Sequence, residues 1–426
     1  MRRLLLWFYL AAGLVVLVAL GVTVHYLGPV PPRVVVMSTG TPGSAYEAFA
    51  QRYKTILARS GVELRLMPSG GAVENLRRLN DPQSGVSVGF AQGGLTSEAQ
   101  SPDLVSLGTL FSEPLWFFYR GVKPGSRLER LRGRKMAIGP EGSGTRALVL
   151  ELLARNGIDQ NVAQLLPLPA AEAAERLLRG EIDDAMMVAA WDSQAVQRLL
   201  AAPEVGLVGF PRADAYVELY PFLDKLVLRA GVANMATNRP SVDTNLLAPK
   251  ASLIVRRDLH RAIQYLLLEA ATEIHSGPGV FQRPSQFPAA EVEDLPLSED
   301  AQHFYRSGRP FLQRYLPFWL AVFVGRLLVV LIPVVGVAYP LMRGVPALYG
   351  WGMRRRIFRL YGELKFIELE LERRSPGQGA ADLLAQLGHL EQRANHLRVT
   401  VAFAHFLYNL RSHIALVRGR LQQHGV

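Results

Sequence analysis

The chain has 426 residues, a formal net charge of +11 at pH 7, and no cysteine. The absence of thiols excludes disulfides, thiolate nucleophiles and thiolate metal sites. The positive charge is no nucleic-acid footprint, because it sits at the ends: residues 343–426 hold 13 Lys/Arg against 6 Asp/Glu, Arg2, Arg3 and Arg326 add to it, and the middle is near neutral.

In chain order, Met1-Arg2-Arg3 leads into an uncharged apolar run, Leu4–Val24, long enough to cross a bilayer. With no A-x-A site before Pro29, it reads as an uncleaved anchor in preference to a signal peptide, giving an N-terminal transmembrane segment over 1–28.

Residues 29–315 alternate apolar runs with amphipathic ones. Strands are expected at 33–37, 62–67, 86–91, 104–110, 115–119, 135–138, 185–188 and 205–208. Helices are expected at 44–59, 72–79, 145–156, 170–179, 191–201 and 258–275. Such alternation predicts α/β lobes with largely parallel sheets, whose ligands sit beyond the strands' C-terminal ends.

Three turns stand out. Val34-Val35-Val36-Met37 stops at Ser38-Thr39-Gly40-Thr41-Pro42-Gly43-Ser44 and restarts as a helix at Ala45-Tyr46. A strand–turn–helix of this kind aims free amides and the positive end of a helix dipole at one point, a seat for a carboxylate. No Gly-Lys-Ser/Thr and no G-x-G-x-x-G is present, so it is not a nucleotide loop. The logic repeats at Ser69-Gly70-Gly71-Ala72-Val73-Glu74-Asn75 and at Gly139-Pro140-Glu141-Gly142-Ser143-Gly144-Thr145-Arg146. Three such turns suggest two lobes facing each other across a polar cleft.

A second apolar segment, 316–343, carries Arg326 and reads as a transmembrane helix bent at Pro333 and Pro340. Arg354-Arg355-Arg356 and Arg359 follow it, so the positive-inside rule places both termini in the cytoplasm and 29–315 outside the inner membrane. The basic ends suit anionic membrane lipid. Residues 344–426 show two amphipathic stretches, with Leu360 and Leu364 in the first and Leu383, Leu387 and Leu390 in the second. Separated by Ser375-Pro376-Gly377, they read as a cytoplasmic helical hairpin.

The turn at 38–46 resembles the opening motif of TAXI-type solute-binding subunits of TRAP transporters, and 69–75 resembles their second block. Phe90-Ala91-Gln92 and 142–146 fall where that family has later cleft motifs. The resemblance covers roughly 33–300. It implies a type II periplasmic-binding-protein fold closing around a small organic acid or amino acid, with a separate TRAP permease as partner. The lobes are expected at about 33–118 with 222–300, and at 119–221. The opening motif departs from the family at Thr41, Pro42 and Ala45, and the two membrane helices depart from its usual architecture.

The expected ligand-binding residues are Thr39, Gly40, Thr41, Gly43, Tyr46, Ser69, Gly70, Gly71, Asn75, Gln92, Ser143, Gly144, Thr145, Arg146 and Trp191. Tyr46 reads as a ligand cover or the first core residue of its helix, and Asn75 as a ligand contact or a cap. Arg146 reads as a bidentate carboxylate partner or an exposed first-turn residue, and Trp191 as an aromatic wall. The nine histidines show no metal-ligand spacing, and Ser143 lacks a G-x-S-x-G frame, so no metal, cofactor or catalytic residue is expected. The reading is capture for transport, without chemistry and without nucleic acid. Its alternative is a transmembrane sensor signalling cleft closure to the hairpin.

Overall fold

The structure is a computed structural model describing residues 13–18, 20–22, 30–124, 131–159, 161, 163–309, 311–373 and 380–424. Most of the first expected span, Leu4–Val24, lies outside these residues; 13–18 and 20–22 are helical. Contacts divide the chain into two units, Pro29–Gly325 and a second made of Met1–Gly28 with Arg326–Val426.

The first unit begins with β1 (Val34–Ser38), α1 (Ala45–Arg59), β2 (Glu63–Met67), α2 (Ala72–Asn80), β3 (Val88–Gln92) and β4 (Leu104–Ser112). The chain then crosses through Glu113-Pro114 into β5 (Leu115–Arg120), β6 (Lys135–Ala137), α3 (Gly144–Arg155), β7 (Gln164–Leu166) and α4 (Ala170–Arg179). There follow β8 (Asp184–Val188), α5 (Gln194–Ala201), β9 (Val205–Leu207), α6 (Ala213–Leu219), β10 (Leu223–Leu228) and β11 (Thr244–Arg256). Helices α7 (Arg261–His275), α8 (Glu299–Ser307) and α9 (Phe311–Tyr315) finish the order before α10 (Phe318–Arg373).

The strand order is β2-β1-β3-β11-β5-β8-β6-β7, with β4 and β10 also on β11 and β9 on β5. The thirteen-residue β11 holds the two lobes together. Its first half pairs antiparallel with β10, from Leu228↔Thr244 to Leu223↔Pro249. Its second half pairs antiparallel with β3 and β4. The chain therefore changes lobe twice, at Glu113-Pro114 and near Pro249-Lys250. This is the two-lobed α/β architecture expected.

Three expectations need correction. The sheets are mixed: β1–β2, β1–β3, β6–β7 and β6–β8 are parallel, but every pairing of β11 and of β5 is antiparallel. A strand returning from the far lobe has to run against its neighbours. The lobe changes also fall earlier and later than 118 and 222, because β5 pairs with β8 and β9, and β10 with the first half of β11. Strands β7, β10 and β11 were absent from the sequence expectation.

Lobe I buries Val35, Met37, Tyr53, Leu57, Phe90, Leu107 and Leu253 between its sheet and α1 and α7. In lobe II the run Leu115-Trp116-Phe117-Phe118 sends alternate side chains to opposite faces. Leu115 and Phe117 join one core, and Trp116 and Phe118 join the other. Helices cover both faces, which is why this strand is apolar throughout.

Among the described residues one helix is long and apolar enough to cross a membrane, Phe318–Gly336 within α10, with mean hydropathy 2.5 and 6% of its window buried. Its first turn is fastened to lobe I: Trp319 Nε1 donates to the Ser60 carbonyl at 2.7 Å, and the Arg33 guanidinium lies 5.6 Å from the indole. The second unit contains the rest of α10, α11 (Ala380–His396) and α12 (Ala404–His424). Ile357, Leu360 and Leu364 of α10, Leu387 and Leu390 of α11, and Leu410 and Ile414 of α12 share one core. The tail is thus three packed helices, not the expected two-helix hairpin. A further turn at residues 397–400 separates α11 from α12.

Candidate functional site

Five parallel-strand ends feed five helix starts, and all five meet at one cavity between the lobes. The turns after β1 and β2 open α1 and α2 in lobe I; those after β6, β7 and β8 open α3, α4 and α5 in lobe II. The cavity is about 170 Å³ and is reached by Thr41–Tyr46, Gly70–Ala72, Ser143–Thr145, Pro169–Ala171 and Ser193–Ala195. The first amides of each helix lack intrahelical acceptors, and the five dipoles present their positive ends. The site is electropositive by backbone geometry alone.

Serine caps set three of these starts. Ser44 Oγ accepts from Glu47 N at 3.3 Å, Ser143 Oγ from Arg146 N at 3.2 Å, and Ser193 Oγ from Val196 N at 3.4 Å. The Ser143 hydroxyl donates to the Pro140 carbonyl at 2.7 Å, and Thr145 Oγ1 accepts from Val188 N at 3.1 Å, tying α3 to β8. These hydroxyls therefore shape the turn and already have partners within lobe II.

Ten of the fifteen expected residues line the cavity: Gly40, Thr41, Gly43, Tyr46, Gly70, Gly71, Gln92, Ser143, Gly144 and Thr145. The other five lie elsewhere. Thr39, Ser69 and Asn75 form a buried clasp beneath it. Asn75 Nδ2 donates to the carbonyls of Thr39 at 2.7 Å and Phe90 at 2.9 Å, Ser69 Oγ lies 2.7 Å from Asn75 Oδ1, and Thr39 Oγ1 donates to Met67 O. Asn75 thus fastens the ends of β1 and β3 and the turn after β2. Arg146 contributes its amide to the cap, and its side chain does not line the cavity. Trp191 packs against Trp116 and Phe281, each centroid 6.1 Å away, behind the cavity wall.

The glycines of the second and third turns serve contact between lobes. A Cβ at Gly70 would come 2.6 Å from the Glu141 carbonyl oxygen, and one at Gly144 would come 2.2 Å from Gln92 Oε1. Gly71 (φ +130) would bring a Cβ within 3.2 Å of the Ser143 Cα. The lobes touch here with no room for a side chain, so the cleft is closed over the cavity.

Two charged residues were missed from sequence. Among the described residues Glu113 is the one acidic and Arg198 the one basic side chain on the cavity wall. Arg198, in the last turn of α5, reaches Glu175 only at 3.5 Å and is 48% exposed. Glu113 is 5% exposed in the β4–β5 crossing, and burial pushes its carboxyl up to about 7. Tyr46 Oη faces it, buried and without a hydrogen bond of normal geometry; burial and the Glu113 carboxylate hold this phenol well above its ordinary value. An acid directly before the apolar run 114–118 was the signal for Glu113. Among the described residues no group of His, Asp and Glu is placed to hold a metal ion.

The pattern that defines the NMT1-like family matches residues 37–307. The chain belongs to the NMT1-like family. Solved structures similar to this NMT1-like chain include a protein from Bordetella bronchiseptica RB50, at 16% identity over 57% of this chain and 70% of that one, TM-score 0.41. The periplasmic aliphatic sulphonate binding protein SsuA of Escherichia coli is similar at 14% identity over 74% and 83%, TM-score 0.36. An ABC transporter periplasmic substrate-binding protein from Coxiella burnetii is similar at 17% over 57% and 92%, TM-score 0.32. The fold is two α/β lobes joined by two crossings over a cleft.

Proposed function

We propose that this protein is a membrane-held solute-binding subunit that captures a small carboxylate-bearing solute between its lobes and delivers it to a separate permease. The carrying observation is the convergence of five helix starts and Arg198 on one small closed cavity. Charge of one sign from so many directions suits an anionic group, and the volume suits a small guest. The motifs at 38–46, 69–75 and 142–146 favour the TAXI type, hence a TRAP permease as partner. The apolar stretch Phe318–Gly336 is the proposed membrane tether, with lobes I and II outside the inner membrane and the basic helices after it in the cytoplasm. No chemical step is proposed: among the described residues Glu113 and Tyr46 are the acid and the phenol on the cavity wall, and they face each other.

The sensor reading retains one supporting observation. Beyond the apolar stretch Phe318–Gly336 the chain carries three helices packed on a core of their own.

The test is a thermal-shift screen of the full chain in detergent against small mono- and dicarboxylates. A guest at 100 times its dissociation constant should raise stability by about 2.7 kcal/mol. The absence of any shift across the acids would defeat the capture reading.

A further inference from the structure

We propose that Glu113, with Tyr46 beside it, seats a ligand ammonium group, so that the captured solute is an α-amino acid and not a simple organic acid. This rests on the capture reading and narrows it. The cavity wall carries one charge of each sign. Arg198 and the helix starts supply the positive side, which answers a carboxylate.

Glu113 supplies the negative side. It is 5% exposed, lines the cavity, and among the described residues no Lys, Arg or His lies within ion-pair distance of it. A buried carboxylate without a counter-charge is unfavourable, and a protein has no packing reason to keep one where Gln would fit. An arriving ammonium provides the missing partner. A second carboxylate from an organic diacid, placed there, would instead meet a like charge.

Tyr46 strengthens the assignment independently. Its ring is fixed on Phe90 at 5.0 Å between centroids, and its hydroxyl is buried on the cavity wall without a normal hydrogen bond. One phenolic oxygen can donate to the Glu113 carboxylate and accept from an ammonium. The upward shift of the Glu113 pKa by burial agrees: the site holds its charge reluctantly until a cation arrives.

The experiment is calorimetric titration of the full chain in detergent with matched pairs, each α-amino acid against the 2-oxo acid of the same side chain. The pair differs only in ammonium versus carbonyl. At least one amino acid should bind ten-fold or more tightly than its 2-oxo partner. Glu113→Gln should weaken that amino acid at least ten-fold and change the 2-oxo acid less than three-fold. If 2-oxo acids bind as tightly as amino acids or more so, the ammonium seat is wrong while capture stands. If neither class binds the wild-type protein, the capture reading fails and this inference with it. Should Glu113→Gln not fold, the wild-type pair comparison decides alone.

Discussion

The amide of Glu74 in lobe I donates to the carbonyl of Gly142 in lobe II at 3.1 Å, a backbone hydrogen bond across the mouth of the cleft. Glu74 also accepts from Gly70 N at 2.6 Å, and so holds the turn that meets Glu141. The closed state is thus latched by main chain, at positions where a Cβ has no space.

Gly70→Ala should hold the lobes apart. Its Cβ would sit 2.6 Å from a carbonyl oxygen that cannot rotate away. Ligand affinity should fall at least ten-fold in titration, with the ligand-free melting temperature nearly unchanged. An unaltered affinity would mean that the closed contact is not needed for retention.

Asn75→Ala should destabilise lobe I without addressing the ligand. It removes both buried Nδ2 hydrogen bonds, so that the Phe90 carbonyl loses its side-chain partner and the Thr39 carbonyl keeps only the Ser69 hydroxyl at 3.2 Å. The cost should be about 1–3 kcal/mol in denaturant unfolding of the ligand-free protein. A stable variant that fails to bind would instead place Asn75 in ligand contact.

Stability of the ligand-free protein should depend on Glu113. Burial raises its folded value from the ordinary 4.5 to about 7, so between those values the folded state holds a proton that the unfolded state has lost. The unfolding free energy is therefore greatest below about 4.5 and declines as pH rises through 7, by an amount on the order of 3 kcal/mol in full. Thermal unfolding at pH 5.5 and pH 8 should show a smaller decline in Glu113→Gln than in wild type. Equal declines would count against this origin. Glu293, near Lys250 and also pushed up to about 7 by burial, contributes in the same direction in both proteins.

Trp319→Phe should loosen the start of α10. It keeps most of the packing and removes the hydrogen bond to Ser60, at about 1 kcal/mol. Faster hydrogen exchange near Ser60–Val62 and quicker proteolytic cutting between 307 and 318 are the expected readouts. Unchanged exchange at those amides would show that the bond is dispensable.

Much of this layout could be read from sequence, and the reason is local. A β-branched run, a Gly/Ser/Thr turn and an amphipathic run are adjacent residues, so β1–α1, β2–α2 and β6–α3 were placed, as were ten of the residues that line the cavity. What escaped was set by distance along the chain. Strand β11 is interrupted in pattern by Asn245, Pro249 and Lys250, and its neighbours come from residues 88–120 and 223–228. Its return made the sheets mixed. Helix spacing likewise did not reveal which side of α3 and α5 turns toward the cleft, so Arg146 was chosen and Arg198 overlooked. Asn75 looked like a ligand contact because a buried amide near a glycine turn serves either purpose. The third tail helix was hidden because its turn at Leu397–Thr400 contains neither glycine nor proline.

The most direct measurement is equilibrium titration of the full chain with the best carboxylate from the screen, comparing wild type with Arg198→Ala. Saturable one-to-one binding in the wild type, weakened at least ten-fold in the variant, is the expected result. Binding that is indifferent to Arg198, or no saturable binding of any small carboxylate, would contradict an anion held at the meeting point of the five helix starts.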